Sequence, residues 1–199
     1  GTGGDVVISA AVGSNVSAIT ENSSGYLTIS GPITPASTLT LTNNNSSGTS
    51  LLYITGGFSG TGNLVLNNNS SITNGITLTS TSVNNTGTIT NSGSGSSTLI
   101  SADIGSNVTN ITQNGASSLL LSGTNSYTGT TSITSGALRA SNSSALGNIS
   151  SGTTVSKFNS MLLFVWMIPL NLASLWSKGS GPSHFHSLHW FKTNNISGV

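Results

Sequence analysis

The sequence predicts an all-β fold: a right-handed parallel β-helix (solenoid) fragment over residues 1–156, followed by an irregular, discordant C-terminal tail. Three observations carry this reading. Apolar–polar alternation of period two restarts every 12 or 13 residues through the first half of the chain. Two stretches align without a gap at an offset of 92 residues. Gly, Ser, Thr and Asn make up 101 of the first 156 residues, and no segment before Ser156 sustains the i, i+3, i+4 spacing of an amphipathic helix.

The short alternations begin at Leu27, Leu39, Leu51, Leu64 and Ile76, and each is a strand candidate. Tracts of sequence NNNSS at 43–47 and 67–71 recur at 24 residues, two of the short spacings. They are read as coil corners, because Asn tolerates positive φ and bonds to nearby backbone. The long repeat pairs ISAAVGSNVSAITENSSGYLTISG from Ile8 with ISADIGSNVTNITQNGASSLLLSG from Ile100, identical at 13 of 24 positions. Ile8/Ile100, Val16/Val108, Ile19/Ile111 and Leu27/Leu119 are matched apolar anchors, while Gly13/Gly105 and Gly31/Gly123 are matched turns where φ can be positive. A coil of about 23 residues makes the long offset close to four coils. Stacking coils about 4.8 Å apart would then bring equivalent side chains into columns, with Leu27, Leu39, Leu52, Leu64, Ile76, Leu119 and Leu121 facing inward.

Composition narrows the function classes. Lys and Arg number 4 and Asp and Glu 3, a net charge of +1, so no basic patch is available and nucleic acid is not an expected partner. Apolar residues at 34%, recurring on a period, argue against disorder. With no cysteine, stability must come from burial and backbone ladders. Residues 1–10 lack the basic start and apolar run of a signal peptide, and the chain is expected to be an internal fragment.

One unit at 119–147, LLLSGTNSYTGTTSITSGALRASNSSALG, combines two alternations with a turn between Gly123 and Gly129 and a closing Gly136-Ala137-Leu138. It resembles the passenger-associated transport repeat of bacterial autotransporters at Gly123, Asn125, Tyr127, Gly129, Gly136, Leu138 and Gly147, and departs from it at Thr130, where the family commonly has a second Gly. The resemblance implies a parallel β-helix passenger, type V secretion, and a location in the medium or on the bacterial cell surface, attached to the outer membrane. It further implies a C-terminal translocator β-barrel as a partner in the full-length protein. The function expected is a structural stalk supporting export and display. The alternatives are an adhesive module binding glycans or a host-cell surface, and a passenger whose enzymatic domain lies outside this fragment.

After Ser156 the composition breaks. Residues 157–192 hold all three Trp, all three His, both Met, four of five Phe and three of four basic residues, and 193–199 (TNNISGV) return to the earlier style. Three readings stay open: a membrane segment at 161–176, too short as a helix for about 30 Å of hydrocarbon and weakened by Pro169; a cap or inserted hairpin; and a disturbed reading frame, the strongest of the three. The family resemblance predicts a further strand after Val155, and residues 157–192 supply no repeat-like one.

No catalytic, cofactor-binding or metal-binding residue is assigned, no cofactor is expected, and the fragment is not expected to be an enzyme. The acids Asp5, Glu21 and Asp103 align with Ser97, Gln113 and Ala11 in the 92-residue register, so no acid pair of the kind glycosidases use is implied. His184, His186 and His189 lack a neighbouring carboxylate or thiolate and read as an incidental cluster. The glycine-rich 56–60 and 93–95 precede no lysine or helix and read as turns rather than phosphate loops. Arg139 is expected to be a solvated strand residue, and Tyr26, Tyr53 and Tyr127 to be packing residues more than sugar-stacking ones. Many N-x-S/T matches, Asn22, Asn45 and Asn69 among them, follow from composition alone.

Overall fold

The structure is a computed structural model that describes residues 3–46, 49–79, 82–148, 152–156 and 161–164. Its regular elements are strands that alternate strictly between two parallel sheets. The eight-stranded sheet stacks β1 (Val6–Ile8), β3 (Leu27–Ile29), β5 (Leu52–Ile54), β7 (Ile76–Leu78), β9 (Thr98–Ile100), β11 (Ser118–Leu121), β13 (Ala137–Ala140) and β15 (Met161–Phe164). The seven-stranded sheet stacks β2 (Ala18–Glu21), β4 (Leu39–Asn43), β6 (Leu64–Asn68), β8 (Thr88–Asn91), β10 (Asn110–Gln113), β12 (Thr130–Ile133) and β14 (Thr153–Val155). Between the two runs a third side, one residue wide, formed by the parallel bridges Val12, Ile33, Phe58, Val83 and Ile104. The chain is therefore a β-solenoid, with strands of three to five residues because each side of the coil is only that wide.

Period-two alternation decides what lies inside. Each strand directs alternate residues inward, and register stacks them coil on coil. Leu27, Leu52, Ile76, Thr98, Leu119 and Leu138 form one inner column and Ile29, Ile54, Leu78, Ile100, Leu121 and Ala140 the next. Leu39, Leu64, Ile89 and Ile111 face them from the other sheet. All seven residues expected to face inward are buried. Fully burying each Leu or Ile contributes about 1.5–3 kcal/mol, and the columns form one continuous core.

The coils are not uniform. Along the first column they measure 25, 24, 22, 21 and 19 residues from Leu27 to Leu138, tapering around the expected 23. The 92-residue repeat is four coils in the eight-stranded sheet, where Ile8 leads through Ile29, Ile54 and Leu78 to Ile100. In the other sheet the same four steps carry Ile19 through Leu41, Leu66 and Asn91 to Gln113, two residues past the expected Ile111. A slip of two keeps inward residues inward, so the turns absorb it without reversing a face.

Three further expectations are corrected. The third alternation starts at Leu52, not Leu51, which lies outside the strand. The matched glycines do not adopt positive φ; Gly31 and Gly123 are needed because a Cβ would meet the carbonyl oxygens of Ala10 and Ala102 at 2.0 and 2.3 Å, while at Gly13 nothing lies within 4 Å. The break at Lys157 does not end the ladder: Met161–Phe164 pairs residue for residue with Ala137–Ala140. An unbroken apolar run suits the edge of a sheet as well as a membrane or a cap. Residues 165–199 lie outside the described residues, and with them Trp166, Trp176, Trp190, the three histidines and the return at 193–199. Among the described residues no helix is long and apolar enough to cross a membrane.

Candidate functional site

The distinctive residues of the unit at 119–147 span one coil, from Gly123 to Gly136, and continue into the next with Leu138 and Gly147, and each meets a local demand of stacking. At this level the third side loses its apolar bridge. Asn125 stands there, and its Oδ1 accepts the amide of Ile104 (2.8 Å) while its Nδ2 donates to the carbonyl of Ala145 (2.7 Å). A side-chain amide thus offers one acceptor to the coil below and one donor to the chain above. Ser126 N completes the join by donating to Ile104 O (2.8 Å).

Tyr127 follows, fully buried inside the shortest complete coil. Its hydroxyl needs a partner there. The seven-stranded sheet provides one: Thr131 occupies the column that Leu64, Ile89 and Ile111 fill below, and its Oγ1 lies 2.7 Å from the phenol oxygen. Burial pushes the Tyr127 phenol up to about 12, an effect the Thr131 hydrogen bond opposes.

The glycines give this packing its space. A Cβ at Gly129 would sit 1.8 Å from the carbonyl oxygen of Thr109 in the coil below. Gly147 holds φ at 76° and lies so close to Tyr127 that a Cβ would meet its ring at 2.9 Å. Thr130, where the resembled family commonly has Gly, is exposed at the start of β12, and its hydroxyl accepts from Asn110 Nδ2 (2.8 Å). The departure therefore costs no packing.

A second feature was not recognised in the sequence. Where the seven-stranded sheet turns toward the eight-stranded one, the inward positions become polar: Glu21, Asn43, Asn68, Asn91 and Gln113 are all buried. Asn43 Nδ2 donates to Gly75 O (2.6 Å), Asn68 Nδ2 to Ser97 O (2.7 Å), and Gln113 Nε2 to Ser117 O (2.6 Å). Asn91 Nδ2 reaches the next coil, donating to Gln113 Oε1 (2.7 Å) and Ser117 Oγ (2.9 Å). Gly75 O and Ser97 O each accept a backbone amide as well, from Leu52 N (2.9 Å) and Gly75 N (3.1 Å), so the side-chain amides fill the second acceptor site of these corner carbonyls. Parity carried the signal, since Asn43 continues the inward series Leu39, Leu41. Outside the same corner, Asn44 Nδ2 donates to Asn22 Oδ1 and Asn69 Nδ2 to Asn44 Oδ1, both at 3.0 Å. The NNN tracts thus sit at a corner, their residues alternating between an inner column and an outer ladder.

The remaining candidates are dispersed. Asp5 Oδ1 accepts the Tyr26 amide (2.9 Å), Glu21 Oε1 accepts the Ser23 amide, and Asp103 Oδ1 accepts the Thr124 amide (2.7 Å). Each acid is engaged with turn backbone. Among the described residues no group of three His, Cys, Asp or Glu is arranged to hold a metal. Arg139, expected to be solvated, is half-buried on the outer face of β13, where packing encloses its Nε without a hydrogen-bond partner. The glycine-rich 56–60 wraps a turn that buries Phe58 in the third side.

Comparison with known proteins gives one family. Residues 111–140, spanning β10 to β13, match the family model of the passenger-associated transport repeat. No curated protein and no solved structure matches the chain.

Proposed function

We propose that this chain, a β-solenoid carrying an autotransporter passenger repeat at 111–140, is a stalk segment of a secreted or surface-displayed passenger. One observation carries the reading: Asn125, Tyr127 and Gly129 of the matched repeat, with Gly147 just beyond it, act on the neighbouring coil or on each other. Such a repeat is a device for adding a coil to a stack, and the family is a structural passenger arrangement rather than a catalytic one. A rod of this kind suits export, because each coil emerging in order has an unpaired edge waiting for it. The sparsely charged, cysteine-free sequence supports passage as an unlinked extended chain. Under this reading a C-terminal translocator barrel is the partner, the location is outside the cell or on the outer membrane surface, and the segment performs no catalysis.

The test is to place residues 1–164 between a signal peptide and a translocator barrel in a Gram-negative host and to measure surface exposure by protease shaving. Surface delivery that falls sharply when 111–147 are deleted supports the stalk reading. Retention in the periplasm with the repeat intact overturns it.

A further inference from the structure

The three tyrosines were alike in the sequence, and the structure separates them. Tyr127 is fully buried, whereas Tyr26 is 36% exposed and Tyr53 half-buried. Both lie on the outer face of the eight-stranded sheet, on adjacent coils. Leu27 pairs with Leu52 and Thr28 with Tyr53, so Tyr26 and Tyr53 are diagonal neighbours, one coil and two residues apart. From strand spacing and rise per residue, their backbones lie about 8 Å apart. Thr28 stands between them in register, and Asp5 flanks Tyr26, with Oδ1 accepting the Tyr26 amide and Oδ2 remaining as an acceptor.

We propose that Tyr26 and Tyr53, flanked by Asp5 and Thr28, form a binding platform for a short neutral oligosaccharide. The chemistry matches on three counts. A pyranose ring presents an apolar C–H face that packs on an aromatic ring, and two rings on one face bind successive sugars. Sugar hydroxyls donate to a carboxylate oxygen and exchange hydrogen bonds with a threonine hydroxyl. Among the described residues the single charge at the platform is the Asp5 carboxylate, which disfavours uronates and sialic acids; Arg139, the one cation among them, stands on β13, four strands beyond the Tyr53 strand β5. The platform stands independently of the stalk reading, since a passenger that fails to export would still carry it.

The test uses the full 199-residue chain, titrated by calorimetry with neutral gluco-, manno- and galacto-oligosaccharides and with uronate and sialylated ones. At least one neutral oligosaccharide is expected to bind. Tyr26→Ala and Tyr53→Ala should each weaken it about ten-fold, and Tyr26→Phe, which keeps the ring, should stay within about two-fold. Thr90→Ala, on the opposite sheet, should change nothing, and circular dichroism checks that each variant folds. The proposal is overturned if no neutral oligosaccharide binds at millimolar concentration, if binding survives both alanine variants, or if anionic sugars bind in preference and depend on Arg139. It is also overturned if Tyr26→Ala instead abolishes association between copies of the chain.

Discussion

The phenol oxygen of Tyr127 lies 2.7 Å from Oγ1 of Thr131, and this pair is the only point where a buried aromatic hydroxyl meets the inner column of the seven-stranded sheet among the described residues. The two residues are four apart in sequence and sit on different sides of the same coil. Removing one partner should cost more than removing both, because a lone buried hydroxyl retains its desolvation penalty. Tyr127→Phe is expected to destabilise the solenoid by about 1–3 kcal/mol, and Tyr127→Phe with Thr131→Val by less. Urea denaturation of the single and double variants measures the difference.

The same tyrosine sets a pH response. Its folded pKa, about 12, lies above the ordinary 10.0, so from pH 10 upward the unfolded chain releases a proton that the folded chain keeps. Stability from this group is fully present below pH 10 and declines by about 1.4 kcal/mol per pH unit until pH 12. Unfolding free energies between pH 9 and 12 should fall more steeply for the parent chain than for Tyr127→Phe. Equal slopes would refute the assignment.

Space between coils gives a third expectation. Gly129→Ala drives a methyl into the Thr109 carbonyl and should cost at least about 1–3 kcal/mol, the range for overpacking. Gly13→Ala, with nothing within 4 Å, should be neutral or slightly stabilising. Thermal unfolding of the two variants side by side checks this.

The corner column predicts a fourth. Asn43→Ala removes the side-chain acceptor of the Asn45 amide and one of the two donors to Gly75 O in a buried corner, and should cost about 1–3 kcal/mol. Asn44→Ala, on the exposed ladder one residue along, should cost less than about 0.5 kcal/mol. Comparable losses at the two positions would show that the inner column has no special role.

Much of the fold was legible without coordinates, because a solenoid writes its period into the chain. Leu27, Leu39, Leu64 and Ile76 each begin a strand because alternation with β-branched and hydroxylated neighbours permits little else, and Ile8 and Ile100 share a column because four coils separate them. The repeat at 119–147 was equally legible, since its residues answer to local geometry. What the sequence could not fix was the relation between sides. The two-residue slip that sets Gln113, not Ile111, above Ile19 is invisible to a gap-free alignment, because turns of different length can carry the same strand pattern. The apolar run at Met161–Phe164 carries no mark of its partner, and only the open edge of β13 made it a strand of this sheet. Likewise, Tyr26, Tyr53 and Tyr127 have one chemistry; the stacking of coils left the first at the surface and enclosed the last. Local periodicity determines which residues face inward, and the tertiary stack decides what each of them faces.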